Sequence, residues 1–230
     1  MRGYDMLDSN LYPAIDYLTL SGNTDTIARL WSDLDELVLM YHNDGHQVQK
    51  LREFGYKGYR IGDLAYFDNE THGYIRADGE AASVLFEADT GYDVKCTRID
   101  LCVTAVDPPR IIPGSDGKMV VPAPDLVFAS AETSQEAPQP NQLKGSGNTV
   151  YVGARVSPRY LRVYDKTAQD PDGPWLPHSI RWEVEMKRPY SHATYHKLKA
   201  LSSGERLSEI ANYVAGFCDK WQVYHALGDR

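Results

Sequence analysis

Three stretches of the chain switch between polar and apolar residues at every step. A period of two belongs to β-strands, whose successive side chains leave on opposite faces. Over 98–104 one face carries Arg98, Asp100, Cys102 and Thr104, and the other Ile99, Leu101 and Val103. Over 160–166 the polar face is Tyr160, Arg162, Tyr164 and Lys166, against Leu161, Val163 and Asp165. Over 181–187 it is Arg181, Glu183, Glu185 and Lys187, against Trp182, Val184 and Met186. If the three lie side by side with their apolar faces on helices, the opposite face gathers acids, bases and phenols in one place. Two readings of that face compete. It is a solvated sheet surface on which Glu183 and Glu185 pair with Arg162 and Arg181 across strands. Or it is a site for phosphodiester chemistry, in which carboxylates offer the oxygen donors that Mg²⁺ or Mn²⁺ prefers, cations neutralise a phosphate and a tyrosine attacks.

The rest of the chain reads as α+β: an antiparallel β-sheet with helices packed on one face. Residues 14–20 form a strand ended by Ser21 and Gly22. Asn23 or Thr24 caps a helix whose apolar stripe is Ile27, Leu30, Trp31, Leu34, Leu37, Val38 and Tyr41. Residues 56–88 suggest a meander of short strands at 59–61, 64–67, 74–76 and 83–86. Residues 107–148 hold seven of the 13 prolines and read as connection, with a short helix near 124–133 and a mobile 134–148. Strands at 149–155, 160–166 and 180–187 follow. A C-terminal helix then opens on Ser202 and Glu205, at capping-box spacing. Ile15-Asp16 and Ile99-Asp100 open similar strands, suggesting a duplicated strand-helix-strand unit. The organisation expected is an N-terminal half over 1–94 and a catalytic half over 95–230, two parts of one continuous domain.

Composition sets limits on function. With 42% hydrophobic and 24% charged residues in 230, a disordered or fibrous chain is excluded. No apolar run is long enough for a bilayer, and the acidic N-terminus lacks a secretory h-region. Three cysteines without a CxxC support neither a disulfide framework nor a cysteine zinc site. The cytoplasm, with no membrane partner, is the expected location. The net charge of −8 hides an asymmetry: residues 1–90 carry 7 basic and 16 acidic side chains, residues 144–199 carry 10 and 5. Over a Debye length of about 8 Å local charge outweighs the total, so a polyanion belongs with the second half.

The strings Gly147–Arg155, Tyr160–Lys166 and Arg181–Lys187 resemble the Rep_trans family of replication initiation proteins, rolling-circle initiators and relaxases of plasmids, phages and conjugative elements. The family pattern is a T-x-Y-x-G-[SA]-R strand, an R-x-Y-[DN]-K strand and an R-x-E-x-[EQ] strand. An R-x-D strand precedes them, which Arg98 and Asp100 fit. The resemblance implies an enzyme that nicks and rejoins one DNA strand at an origin through a 5′-phosphotyrosine, with Mg²⁺ or Mn²⁺. It makes Tyr164 the nucleophile, with Arg162 and Lys166 beside it, and Tyr160 a rival nucleophile or a DNA contact. Asp100, Glu183 and Glu185 become metal ligands, and Arg155, Arg159 and Arg181 phosphate contacts. It also implies single-stranded or cruciform origin DNA as partner, with a homodimer and a host helicase as further ones. The chain is more acidic than such an enzyme would be expected to be. It has no His-hydrophobic-His pair, so carboxylates have to hold any metal. Chemistry supports the nucleophile: a phenol is about a thousandth ionised at pH 7, and cations two residues away on either side favour the phenolate. The alternatives are a non-catalytic DNA-binding regulator of a phage or mobile element, and an interaction module whose acidic half meets a basic partner.

Overall fold

The computed structural model describes residues 11–89, 91–105, 112–113, 119–120, 141–142, 148–152, 156–173, 175 and 179–220. In chain order the elements are β1 (Leu11–Asn23), α1 (Thr24–Ser32), α2 (Asp35–Asn43), β2 (Gln49–Glu53), β3 (Tyr56–Ile61), β4 (Leu64–Asp68), β5 (His72–Asp78), α3 (Gly79–Ala88) and β6 (Lys95–Ala105). After them come the two-residue β7 (Ile112–Pro113), β8 (Met119–Val120) and β9 (Asn141–Gln142), then β10 (Asn148–Val152), β11 (Arg159–Asp165), α4 (Lys166–Gln169), β12 (Ile180–Lys187), α5 (Pro189–Lys199) and α6 (Ser203–Lys220). The class is α+β, as the alternation requires.

The chain makes two compact bodies that do not follow its order. One gathers Ile15–Asp100 and Met186–Lys197, the other Met1–Ala14, Leu101–Glu185 and Leu198–Arg230. In the first body the strand order is β2-β3-β4-β5-β1-β6, with antiparallel pairing of β2 to β3, β3 to β4, β4 to β5 and β5 to β1. Register assigns the faces. Leu18 pairs with Ala77 and Leu20 with Ile75, all buried; Tyr66, opposite Ile75, meets Trp31 of α1. That face takes the helix. The other face shows Tyr17, Thr19, Tyr74 and Arg76, the alternate residues of the same strands.

Helix α1 starts where the sequence says: the Asn23 side chain accepts the Thr26 N–H at 2.8 Å, which satisfies one of the helix's orphan donors. The single helix expected to reach Tyr41 is two. At the break, Leu34 N–H turns back three residues to the Trp31 carbonyl, and α2 then restarts with Val38 N–H on the Leu34 carbonyl. A second correction concerns 83–86, expected as a strand. They lie in α3, which buries Ala81, Ala82, Leu85 and Phe86 on one helical face. Four residues with two apolar side chains fit either period; the alanines before them decide it. The short helix expected near 124–133 lies outside the described residues.

In the second body the order is β6-β12-β11-β10-β9. Here β10 pairs antiparallel with β11, Tyr164 opposite Thr149 and Arg162 opposite Tyr151. Helix α6 opens on the capping box: the Ser202 hydroxyl donates to Glu205 Oε2 at 2.5 Å and the Ser202 N–H donates to the same oxygen at 3.0 Å. These two bonds hold the Glu205 carboxyl below its ordinary range.

Candidate functional site

Strand β12 is buried along nearly its whole length, polar face included. Arg181 is 4%, Glu183 1% and Glu185 3% exposed. A solvated sheet surface, the plainer of the two expectations, is therefore not what this face is. Burying charge costs several kcal/mol per ion unless each is paired and hydrogen-bonded, and the pairing determines what this face can do.

Glu183 is the hub. Its Oε1 accepts from the Arg162 guanidinium in an ion pair, and its Oε2 accepts the Tyr164 hydroxyl at 2.8 Å. Tyr164 and Arg162 are two residues apart on β11, so the pleat brings both to the same face. Tyr164 is 6% exposed, and the Arg162 side chain, 26% exposed, is the member of the trio that reaches solvent. One step along, the motif repeats: Tyr160 donates its hydroxyl to Glu185 Oε2 at 3.0 Å. Two phenols on β11 thus face two carboxylates on β12.

Beside them lies a group of cations organised by Trp175. The Lys166 ammonium sits 5.4 Å and the Arg181 guanidinium 4.8 Å from its ring centroid. Both distances lie within cation–π range. Lys166 also donates to Gln169 Oε1 at 2.8 Å and lies 3.7 Å from Asp170. Asp170 in turn accepts the indole N–H at 3.1 Å. Arg181 donates its Nε–H to Thr104 Oγ1 at 2.8 Å. Sequence reasoning leaves Trp175 in the connection between the strands at 160–166 and 180–187 and does not single it out. The signal was available: a tryptophan among Asp, Pro and Gly has no reason to sit in a loop unless it packs on something.

Of the residues singled out in the sequence, Tyr164, Arg162 and Glu183 meet directly, and Tyr160 meets Glu185. Lys166 and Arg181 share Trp175. Arg159 places its guanidinium 5.9 Å from the Phe217 ring centroid, against α6. Arg155 lies outside the described residues. Asp100 belongs to the other body, fully buried, where Arg98 grips both oxygens, Nε to Oδ1 at 2.9 Å and Nη2 to Oδ2 at 2.5 Å. Arg98 in turn stacks 3.9 Å over Tyr17.

The chemistry of Mg²⁺ or Mn²⁺ asks for several free oxygen donors. Glu183 has both oxygens engaged by Arg162 and Tyr164, Asp100 both by Arg98. Among the described residues no group of three His, Cys, Asp or Glu side chains is placed to share an ion. As arranged, these carboxylates are partners for cations and phenols. Among the described residues no helix is long and apolar enough to cross a membrane.

Comparison with known proteins meets this geometry at the same strands. Residues 126–224 match the Rep_trans family model, described as replication initiation factor. No curated protein matches the chain. Among solved structures, the rolling circle replication initiator protein from Geobacillus stearothermophilus superposes with a TM-score of 0.57 at 15% identity, over 91% of this chain and 84% of that one. At that identity the likeness is one of fold. The family match thus covers the strands that bring Tyr164 to Glu183, the same strands whose motifs carry the resemblance to replication initiation proteins.

Proposed function

We propose that the protein is a replication initiator that cuts and rejoins one DNA strand through Tyr164. The observation that carries the reading is the 2.8 Å hydrogen bond from the Tyr164 hydroxyl to Glu183, whose other oxygen is held by Arg162. A phenol needs a base to become a nucleophile at neutral pH, and Glu183 is a base within hydrogen-bond reach. In the proposed step the Tyr164 proton passes to Glu183 and the phenolate oxygen bonds to phosphorus. The P–O3′ bond breaks, and the departing oxygen takes up a proton to become a 3′-OH. The 5′ phosphate stays on the tyrosine, and rejoining is the reverse. Protonation of Glu183 also cancels the charge that holds Arg162, freeing the guanidinium for the phosphate oxygens as negative charge builds there. Lys166 and Arg181 on Trp175 supply further positive charge in a net-basic stretch.

Incubation with a randomised single-stranded DNA library in Mg²⁺ or Mn²⁺, and without either, tests the proposal on denaturing gels. A covalent protein–DNA band that maps to Tyr164 and vanishes in Tyr164→Phe is the expected result. Glu183→Gln, which keeps the shape but removes the base, should slow adduct formation by about 10²–10⁴-fold. An adduct that persists in Tyr164→Phe would overturn the assignment. The ion-free arm shows whether the ion expected from the family is needed.

The burial of Tyr164, 6% exposed with its hydroxyl already engaged, favours a second reading: a relative that binds origin DNA without cutting it. It predicts salt-dependent binding with no covalent band under any condition above.

A further inference from the structure

The body built from Ile15–Asp100 and Met186–Lys197 carries a second feature outside this chemistry. Its β2–β3 hairpin closes through two residues, since Glu53 pairs with Tyr56, and both have positive φ: Phe54 at +49° and Gly55 at +86°. A two-residue turn of this hand favours Asn-Gly. A phenylalanine in the left-handed region is strained by roughly 1–2 kcal/mol, and Phe54 is 92% exposed, so packing gives nothing back. Strain combined with full exposure of an aromatic ring is the pattern of a residue kept for contact with something else.

The turn borders a pocket of about 390 Å³ on the sheet face opposite α1, lined among others by Tyr17, Tyr56, Tyr74, Arg76 and Glu53. The rings form a layered set. Phe67 lies flat on the sheet, Tyr74 stacks on it at 4.7 Å and 14°, and Tyr56 meets Tyr74 edge-on at 5.2 Å. Burial and the Glu53 carboxylate push the Tyr74 phenol up to about 12, so this ring stays neutral. The guanidiniums on this face are matched by carboxylates: Arg76 with Glu53 at 3.3 Å, Arg60 with Asp78 at 3.8 Å. A face of neutral rings and cancelled charges has little to hold a phosphate with. It has π-faces for a planar group, and in Arg76, Glu53, Thr19 and Ser21 donors and acceptors for that group's edge.

We propose that this pocket, with Phe54 at its rim, is a stacking site for an unpaired base of single-stranded DNA. The proposal rests on the initiator reading for its ligand but uses none of that site's residues. Stacking on aromatic side chains is tolerant of sequence and contributes about 1–3 kcal/mol per base, while phosphate contacts set the salt slope. The two contributions are therefore separable by experiment.

Fluorescence anisotropy with labelled dT20, from 50 to 300 mM salt, compares the full chain with Phe54→Ala and Phe54→Asn. Both variants should bind about tenfold more weakly, within the range 1–3 kcal/mol implies, with an unchanged log–log salt slope. Phe54→Asn should meanwhile raise Tm, because Asn tolerates the left-handed turn, so lost affinity cannot be put down to misfolding. An oligonucleotide with abasic central positions should bind wild type and variants alike. Variants that bind dT20 as wild type does, or that lose affinity only by a change of slope, overturn the stacking site and leave the Tyr164 reading intact. If wild type binds dT20 normally yet forms no adduct in the nicking assay, the initiator chemistry fails while this site stands. No binding of dT20 by wild type overturns the stacking site, while the covalent band in the nicking assay decides the Tyr164 reading separately.

Discussion

Gly58 has no room for a side chain. A Cβ there would meet the Tyr66 carbonyl oxygen at 2.1 Å and the Phe67 ring at 2.7 Å, because Phe67 on the neighbouring strand lies directly over it. The aromatic layer beneath the pocket depends on that gap. Gly58→Ala should cost about 1–3 kcal/mol, the usual penalty of overpacking, read as a lower midpoint in urea unfolding. At this same scale the candidate site was partly legible in the sequence. Alternation on β11 and β12 put Tyr164, Arg162 and Glu183 on candidate faces, and in the fold Tyr164 and Arg162 both bond to Glu183. What alternation does not encode is depth. A charged face on a solvated edge and one sealed in the interior have the same pattern, and burial of Glu183 follows from what packs around it. Trp175 went unread for a related reason: a loop residue's partners come from tertiary contact, which no periodicity reports.

The same division between local and distant information runs through the elements. Where a signal is a local hydrogen bond, the sequence places it well. Asn23 caps α1 and Ser202 with Glu205 caps α6, both as read. Asn23→Ala should accordingly cost about 1 kcal/mol, seen as a lowered Tm, with the rest of the fold retained. Where the signal is hydrophobic period over a few residues, it is ambiguous. Ser83–Phe86 suited strand or helix, and only their continuation from Ala81 and Ala82 into a buried helical face separates the two. The stripe from Ile27 to Tyr41 kept its face but lost its continuity, since apolar spacing survives a one-residue tightening that the backbone does not. The hairpin of β2 and β3 escaped notice because Phe-Gly is not a turn signal; its geometry is imposed against the preference of its first residue.

Over the molecule as a whole, the charge total of −8 says less than its distribution, since the cations that meet Glu183 and Trp175 lie in the basic stretch. Solution pH gives a test at this scale. Burial, reinforced by nearby carboxylates, pushes the Tyr66 and Tyr74 phenols up to about 12, and burial pushes the Cys96 thiol up to about 12 as well. Each is an acid whose neutral form the fold favours. The stability linked to them is therefore complete below the ordinary thiol range near pH 9 and drains away as pH rises toward 12. Urea midpoints should hold from pH 7 to 8.5 and fall steadily from 9.5 to 11; a flat profile across that span contradicts the burial of these groups. A different consequence follows from the way the two bodies draw on the chain. Membership changes within β1 after Ala14, within β6 after Asp100 and within β12 after Glu185. No single cut in the reading frame yields either body whole, so deletions that end within β1, β6 or β12 should return insoluble fragments. Recombination that trades one body for a foreign counterpart would have to exchange several gene segments together, which makes this architecture resistant to piecemeal shuffling.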